Sequence, residues 1–199
     1  MSENKLIEVK EVNDFKLFHY KMIDSTQKEI WRRVKNGDIE DRTIVSANIQ
    51  TSGIGTHGRV WHTDEENNIA FSTYFDLSKR KCKVEQFEGL TVDIAKEIVK
   101  VIRENCGISL DIKFPNDIYC HGKKLGGILT ETKLQDGFVR CVVIGIGMNI
   151  NQTQFAGEIK DIATSIRHEF GTIGYGSFWS NFVLLGPVLL RTEINRRIN

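Results

Sequence analysis

The feature that most constrains this chain's fold is a pair of strand-like runs, Leu125–Leu134 and Phe138–Asn149, joined by Gln135-Asp136-Gly137. An Asp-Gly pair between two such runs specifies a tight hairpin, so part of the sheet must be antiparallel. Phe15–Ile23, Thr43–Ile49, Ile69–Leu77 and Leu110–Lys113 read as further strands. Asp24-Ser25-Thr26 offers helix caps, and Thr26 followed by Glu29 fits a capping box. Ile30, Trp31 and Val34 then supply the apolar stripe of a helix closing near Asn36-Gly37. From Val84 onward, Phe87, Leu90, Ile94, Ile98, Val101 and Ile102 recur at helical spacing up to Cys106-Gly107. A last helix is expected over Ser177–Ile198, kinked at Pro187. Irregular alternation of strands and helices gives an α+β fold: a mixed β-sheet with helices packed on one face. With no internal repeat, linker or low-complexity segment, residues 1–199 read as one domain.

Composition narrows the function class. The 199 residues are 40% hydrophobic and 27% charged, with a formal net charge of +1. That balance gives no bulk attraction to nucleic acid or membrane. The four cysteines lack C-x-x-C spacing and a partnering histidine motif, which suits reduced thiols in a cytoplasmic protein. The polar start Met1–Val9 is not a secretory signal, and Phe182–Leu190 is too short to span a bilayer.

Chemistry concentrates in three stretches. Gln50–Trp61 (Q-T-S-G-I-G-T-H-G-R-V-W) follows a strand and carries Gly53, Gly55, Gly58 and Arg59. Successive amides in such a loop form a concavity for phosphate or carboxylate, although the same glycines also fit a plain turn. In Lys113–Glu131, Pro115 should turn Asn116 and Asp117 away from the sheet, and Lys123-Lys124 precede Gly126-Gly127. One carboxylate and two ammonium groups suit a nucleotide with its Mg²⁺; a turn and a solvated hairpin tip are the plain alternative. Cys141–Asn151 ends a buried strand in Gly145-x-Gly147 and presents Asn149 and Asn151. The dinucleotide G-x-G-x-x-G fails at Ile150, and the P-loop-like spacing of Gly53–Gly58 lacks its Lys-Ser/Thr pair. His57 and His62 read as exposed loop side chains, and no G-x-S-x-G elbow or activated cysteine indicates covalent catalysis.

Taken in order, these pieces resemble the biotin protein ligases. That family carries D-S-T-N, Q-x-x-G-R-G-R-x-G-R-x-W, K-W-P-N-D, K-x-x-G-I-L-x-E, G-I-G-I-N-x-N and A-T-S-L. The matching positions here are Asp24–Gln27, Gln50–Trp61, Lys113–Asp117, Lys124–Glu131, Gly145–Asn151 and Ala163–Ile166. The resemblance implies attack of the biotin carboxylate on the α-phosphate of Mg·ATP, giving biotinyl-5′-AMP and pyrophosphate. A lysine of a biotin carboxyl carrier protein domain, part of a biotin-dependent carboxylase, then takes the biotinyl group and AMP leaves. By motif position, Lys124 and Arg59 would be catalytic, while Ser25, Thr26, Gln50, Gly53, Gly55, Trp61, Lys124 and Gly127 would bind biotin. Arg59, Asn116, Asp117 and Asn149 would bind the nucleotide, Asp117 serving also as a Mg²⁺ ligand, and Gly147 would admit close backbone approach. ATP, Mg²⁺, biotin and the carrier domain are thus the implied partners, nucleic acid and membrane are not, and a homodimer is compatible with the family.

Two departures stand out. Ile54 and Thr56 occupy positions where the family has arginines, which should weaken retention of the adenylate under the loop. The family's common N-terminal helix-turn-helix and C-terminal barrel-like domain have no counterpart in residues 1–199. Those departures keep two other readings open: a lipoate or octanoyl ligase or transferase of the same fold, and a non-catalytic biotin-binding module.

Overall fold

The computed structural model describes residues 5–63, 68–155, 157–171 and 175–199, without the side chains of 175–185. The elements in chain order are β1 (Lys5–Val12), β2 (Phe15–Ile23), α1 (Thr26–Asn36), β3 (Thr43–Ile54), β4 (Val60–Thr63), β5 (Ile69–Asp76) and α2 (Leu90–Cys106). There follow β6 (Asp111–Lys113), β7 (Asp117–Cys120), β8 (Lys123–Gln135), β9 (Phe138–Met148), α3 (Ile166–Phe170) and α4 (Tyr175–Ile198). The strands form one sheet in the order β1-β2-β3-β5-β9-β8-β7-β6, with β4 paired to β3. Only β2 and β3 are parallel among these pairs, so the sheet is mixed as the hairpin requires.

Period-2 alternation sends neighbouring residues of each strand to opposite faces. On β5, Ile69, Phe71 and Phe75 enter the larger core with Ile94, Ile98 and Ile102 of α2 and Leu190 and Ile194 of α4. Phe15 and Phe75 meet there edge to face at 6.1 Å. Tyr74, Val45, Ala47, Cys141 and Val143 form a smaller core on the other face, covered by Ile30 and Trp31 of α1. The helices therefore occupy both faces, α2 and α4 on one and α1 on the other. As the crossover between two parallel strands, α1 must lie over the sheet, and the smaller apolar face receives it.

Several local readings need correction. β3 runs through Ile54, so the first half of the glycine stretch is strand rather than loop. Asp117 begins β7 and pairs with Lys113 and Gly127, so Pro115 sits in a hairpin turn and does not turn Asp117 out of the sheet. The helix foreseen from Val84 is broken: a short 3₁₀ turn over Val84–Phe87 precedes Gly89 (φ +74°), and α2 starts at Leu90. Ser25, not Thr26, caps α1, with its hydroxyl accepting from Lys28 N at 3.4 Å. Glu29 does not close a capping box; it binds Arg32, Arg33 and Tyr20 instead. Pro187 falls inside α4. Among the described residues no helix is long and apolar enough to cross a membrane.

Candidate active site

The α1 face carries a cavity of about 180 Å³ where the N-terminus of α1 meets β3, β5, β8 and β9. Its polar end starts from an elementary need: the first N–H groups of a helix have no partner within it. Thr26 N donates to Gln50 Oε1 at 2.8 Å, which fixes the amide of Gln50 beside the helix start. Because Ser25 takes the cap, Thr26 keeps its hydroxyl free of that duty, and it lies 2.9 Å from Ser72 Oγ on β5. Ser72 Oγ donates to Gln27 Oε1 at 2.8 Å, and Gln27 Nε2 donates to Glu131 Oε2 on β8 at 2.8 Å. Ser25, Thr26, Gln27 and Ser72 are all buried. Asp24 braces this corner: its Oδ1 accepts from Ser25 N at 2.7 Å, and Arg32 grips both its oxygens at 2.8 Å. The Arg32 hydrogen bonds, set against partial burial, hold the Asp24 carboxyl below its ordinary value.

Two glycines of β9 make room for this arrangement. A Cβ at Gly145 would lie 2.7 Å from Gln27 Oε1 and 3.3 Å from Ser72 Oγ. One at Gly147 would lie 2.5–2.9 Å from the indole of Trp61, which therefore rests directly on the β9 backbone as a cavity wall.

The cationic end is built by β7 and β8. Lys124 Nζ donates to Asp117 Oδ1 at 2.7 Å and lies 5.9 Å from the centre of the Trp61 ring. Asn116 Nδ2 also donates to Asp117 Oδ1, at 3.0 Å. The Lys124 backbone is clamped by Ile162 O and Thr164 N at 2.7 and 2.9 Å, placing Ala163–Ile166 beside it. Asn149 Nδ2 donates to Thr164 O at 3.1 Å, so its amide is partly spent on that clamp. Asp117 is buried, and its Oδ1 already serves an ammonium and an amide. It is arranged as a partner for Lys124 rather than as an open cation ligand. Magnesium normally keeps several waters and takes one or two carboxylates with phosphate oxygens, so these residues do not form a resident magnesium site.

Between the two ends the loop Gly55–Arg59 folds on itself. His57 and Gly58 have φ of +58° and +72°. Gly55 N donates to Arg59 O at 2.8 Å, and Arg59 Nη2 donates to Thr56 Oγ1 at 3.1 Å. Asn116 Nδ2 reaches the same Thr56 oxygen at 3.4 Å, tying the loop to the Lys124 end. Thr56 thus contributes a neutral bridge at one of the two positions that depart from the arginine pattern.

Ser25, Thr26, Gln50, Gly55, Arg59, Trp61, Asn116, Lys124, Gly127 and Asn149 all line one cavity. Gly53 and Asp117 do not line it. Gly53 lies in the tight β3–β4 pairing, where a Cβ would come within 2.5 Å of Trp61 O. His57 and His62 are exposed, and His62 reaches the cavity rim. Sequence reasoning missed Gln27, Ser72 and Glu131 as a connected set. No spacing rule links a helix start to two non-adjacent strands; only the sheet order does.

A family model described as the Biotin/lipoate A/B protein ligase family matches residues 19–149, and the chain belongs to that family. The bifunctional ligase/repressor BirA of Bacillus subtilis is 40% identical over 157 residues, covering 78% of this chain and 47% of that protein. The biotin–[acetyl-CoA-carboxylase] ligase of Mycobacterium tuberculosis is 30% identical over 147 residues, covering 71% and 51%. The chain thus spans about half the length of these curated relatives. Among solved structures, the biotin protein ligase from Aquifex aeolicus in complex with biotin and ATP is similar with a TM-score of 0.71 at 27% identity. That likeness covers 92% of this chain and 71% of the Aquifex chain.

Proposed function

We propose that residues 1–199 form the catalytic unit of an ATP-dependent biotin protein ligase. The observation that carries this reading is the single cavity with a neutral hydrogen-bonding bed at one end and Lys124 at the other. The bed, made by Ser25, Thr26 and Gln50, suits the urea ring of biotin, which both donates and accepts. The valeryl chain would run along Trp61 and bring its carboxylate to Lys124. There the ammonium, released from Asp117, would bridge that carboxylate and the α-phosphate of ATP, favouring attack by offsetting the charge that builds up between them. Arg59 and the amides of Gly55–Arg59 would cover the adenylate. Asn116 and Asn149 would hold the nucleotide, and magnesium enters with ATP as part of that substrate.

In the second step the ε-amine of a carrier-domain lysine attacks the mixed anhydride, an amide forms, and AMP departs with the electron pair of the broken bond. Neither step requires an enzyme nucleophile; alignment and charge compensation suffice. The urea-matching bed favours biotin over lipoate, whose ring has no N–H to place there. The test is to incubate the protein with biotin, Mg·ATP and an apo carrier domain and to weigh the carrier. A mass gain of one biotinyl group is expected. A carrier left unmodified by biotin, or modified with lipoate in its place, would contradict the reading.

A further inference from the structure

We propose that Glu131, a residue outside the cavity, fixes the hydrogen-bond direction of the biotin bed and thereby sets its preference for a urea. The inference rests on the biotin reading and identifies a positioning residue for it.

The direction follows from donor and acceptor inventory alone. Trp31 Nε1 is a donor only and points at Glu131 Oε2 from 2.6 Å. That oxygen must accept, so Gln27 turns its Nε2 toward it at 2.8 Å. Gln27 Oε1 is then left to face Ser72, whose hydroxyl proton is spent on it at 2.8 Å. Thr26 Oγ1 lies 2.9 Å from Ser72 Oγ, whose own proton is spent, and 3.2 Å from Gln50 Oε1, so both neighbours accept and the Thr26 proton points inward to them. With its proton pointed inward, Thr26 offers the cavity a lone pair and can take an N–H from a ligand.

A second chain end reaches the same place independently. Thr26 N, another donor-only group, holds Gln50 Oε1 at 2.8 Å, which leaves Gln50 Nε2 without a hydrogen-bond partner among the described residues. The bed therefore shows an acceptor at Thr26 beside a donor at Gln50, the complement of an N–H next to a C=O. Gly145 is the space that lets the relay pass, since any side chain there would collide with Gln27 Oε1. Gln27 and Ser72 are fully buried, so water cannot rotate either group at low cost.

Biotin and ATP affinities are measured by calorimetry, and their KM values by biotin-dependent ATP–pyrophosphate exchange, for the wild type, Glu131→Leu, Glu131→Gln, Ser72→Ala and the Ser72→Ala/Glu131→Leu pair. Glu131→Leu frees the Gln27 amide to turn over, and biotin affinity is expected to fall about tenfold, the size of one hydrogen bond lost. The KM for ATP should stay within about twofold. Glu131→Gln restores most of the loss, because its amide oxygen still takes both N–H groups. Ser72→Ala cuts the relay, so adding Glu131→Leu to it should cost nothing more, as expected for residues acting through one chain. Three results would overturn the relay: Glu131→Leu binding biotin as the wild type does, Glu131→Gln as impaired as Glu131→Leu, or multiplying losses in the pair. A wild type that binds no biotin would instead overturn the functional reading on which the relay rests.

Discussion

The two faces of the sheet are built from the same strands to opposite ends. On the α2/α4 face, β5 and β9 contribute Ile69, Phe71, Ile144 and Ile146 to an apolar core. One residue along, the same strands give the α1 face Ser72, Gly145 and Gly147, and beside them a polar chain from Glu131 to Gln50. One face has volume to fill and little chemistry; the other has hydrogen-bonding groups and little volume. Because alternation is strict, neither face can drift in register without moving the other, so the large core holds the polar bed in place. Function and stability are thereby assigned to alternate residues of single strands, and substitutions should separate them.

The largest separation is expected at Lys124. Lys124→Ala removes the charge at the cationic end, and kcat for biotin-dependent adenylation should fall about 10²–10³-fold. Thermal stability should fall far less than activity but measurably, because the buried Asp117 carboxylate keeps Asn116 and loses its ammonium, as read by calorimetry on the same preparation. The converse test is Ile98→Ala in the large core, which leaves a cavity and should cost about 2–5 kcal/mol in chemical denaturation. Its folded fraction should retain the wild-type biotin KM. Gly147→Ala strikes the α1 face by driving a methyl group into Trp61. Overpacking of this kind costs about 1–3 kcal/mol, so biotin affinity should weaken about 10–100-fold.

Smaller effects probe the loop and the brace. Thr56→Val removes the oxygen shared by Arg59 and Asn116, and free adenylate released per turnover should rise about 2–10-fold, measured by chromatography. The smallest is a pH effect at Asp24. Its folded value lies below the ordinary one, so its contribution to stability is complete above about pH 4 and is lost as pH falls through the folded value. Asp24→Asn should lower the melting temperature slightly across the neutral region and flatten the acid limb, so that the two profiles converge at low pH.

What was legible in the sequence follows the same division. Strands with one fully apolar face, such as β5 and β9, announce themselves by alternation. β1 does not, because Leu6, Ile7 and Val9 are 43–52% exposed on an outermost strand and have no core to pattern against. β4 and β7 are four-residue strands held by their neighbours rather than by propensity. Lining residues within local motifs were readable, since Gln50, Trp61 and Lys124 each sit in a distinctive stretch. Ser72 was not, because a serine inside an aromatic-rich strand carries no signal until β5 is seen to pass under α1. The two-sided arrangement of helices also lay beyond periodicity, which says that a face is apolar but not which side of the sheet it meets.

The central claim is that the α1 face binds biotin and activates it with ATP. Exchange of labelled pyrophosphate into ATP, run with biotin, with lipoate and with neither, tests this without a carrier protein. Exchange that depends on biotin and is lost in Lys124→Ala is the predicted result. Exchange supported by lipoate and not by biotin, or no exchange with either, would contradict it.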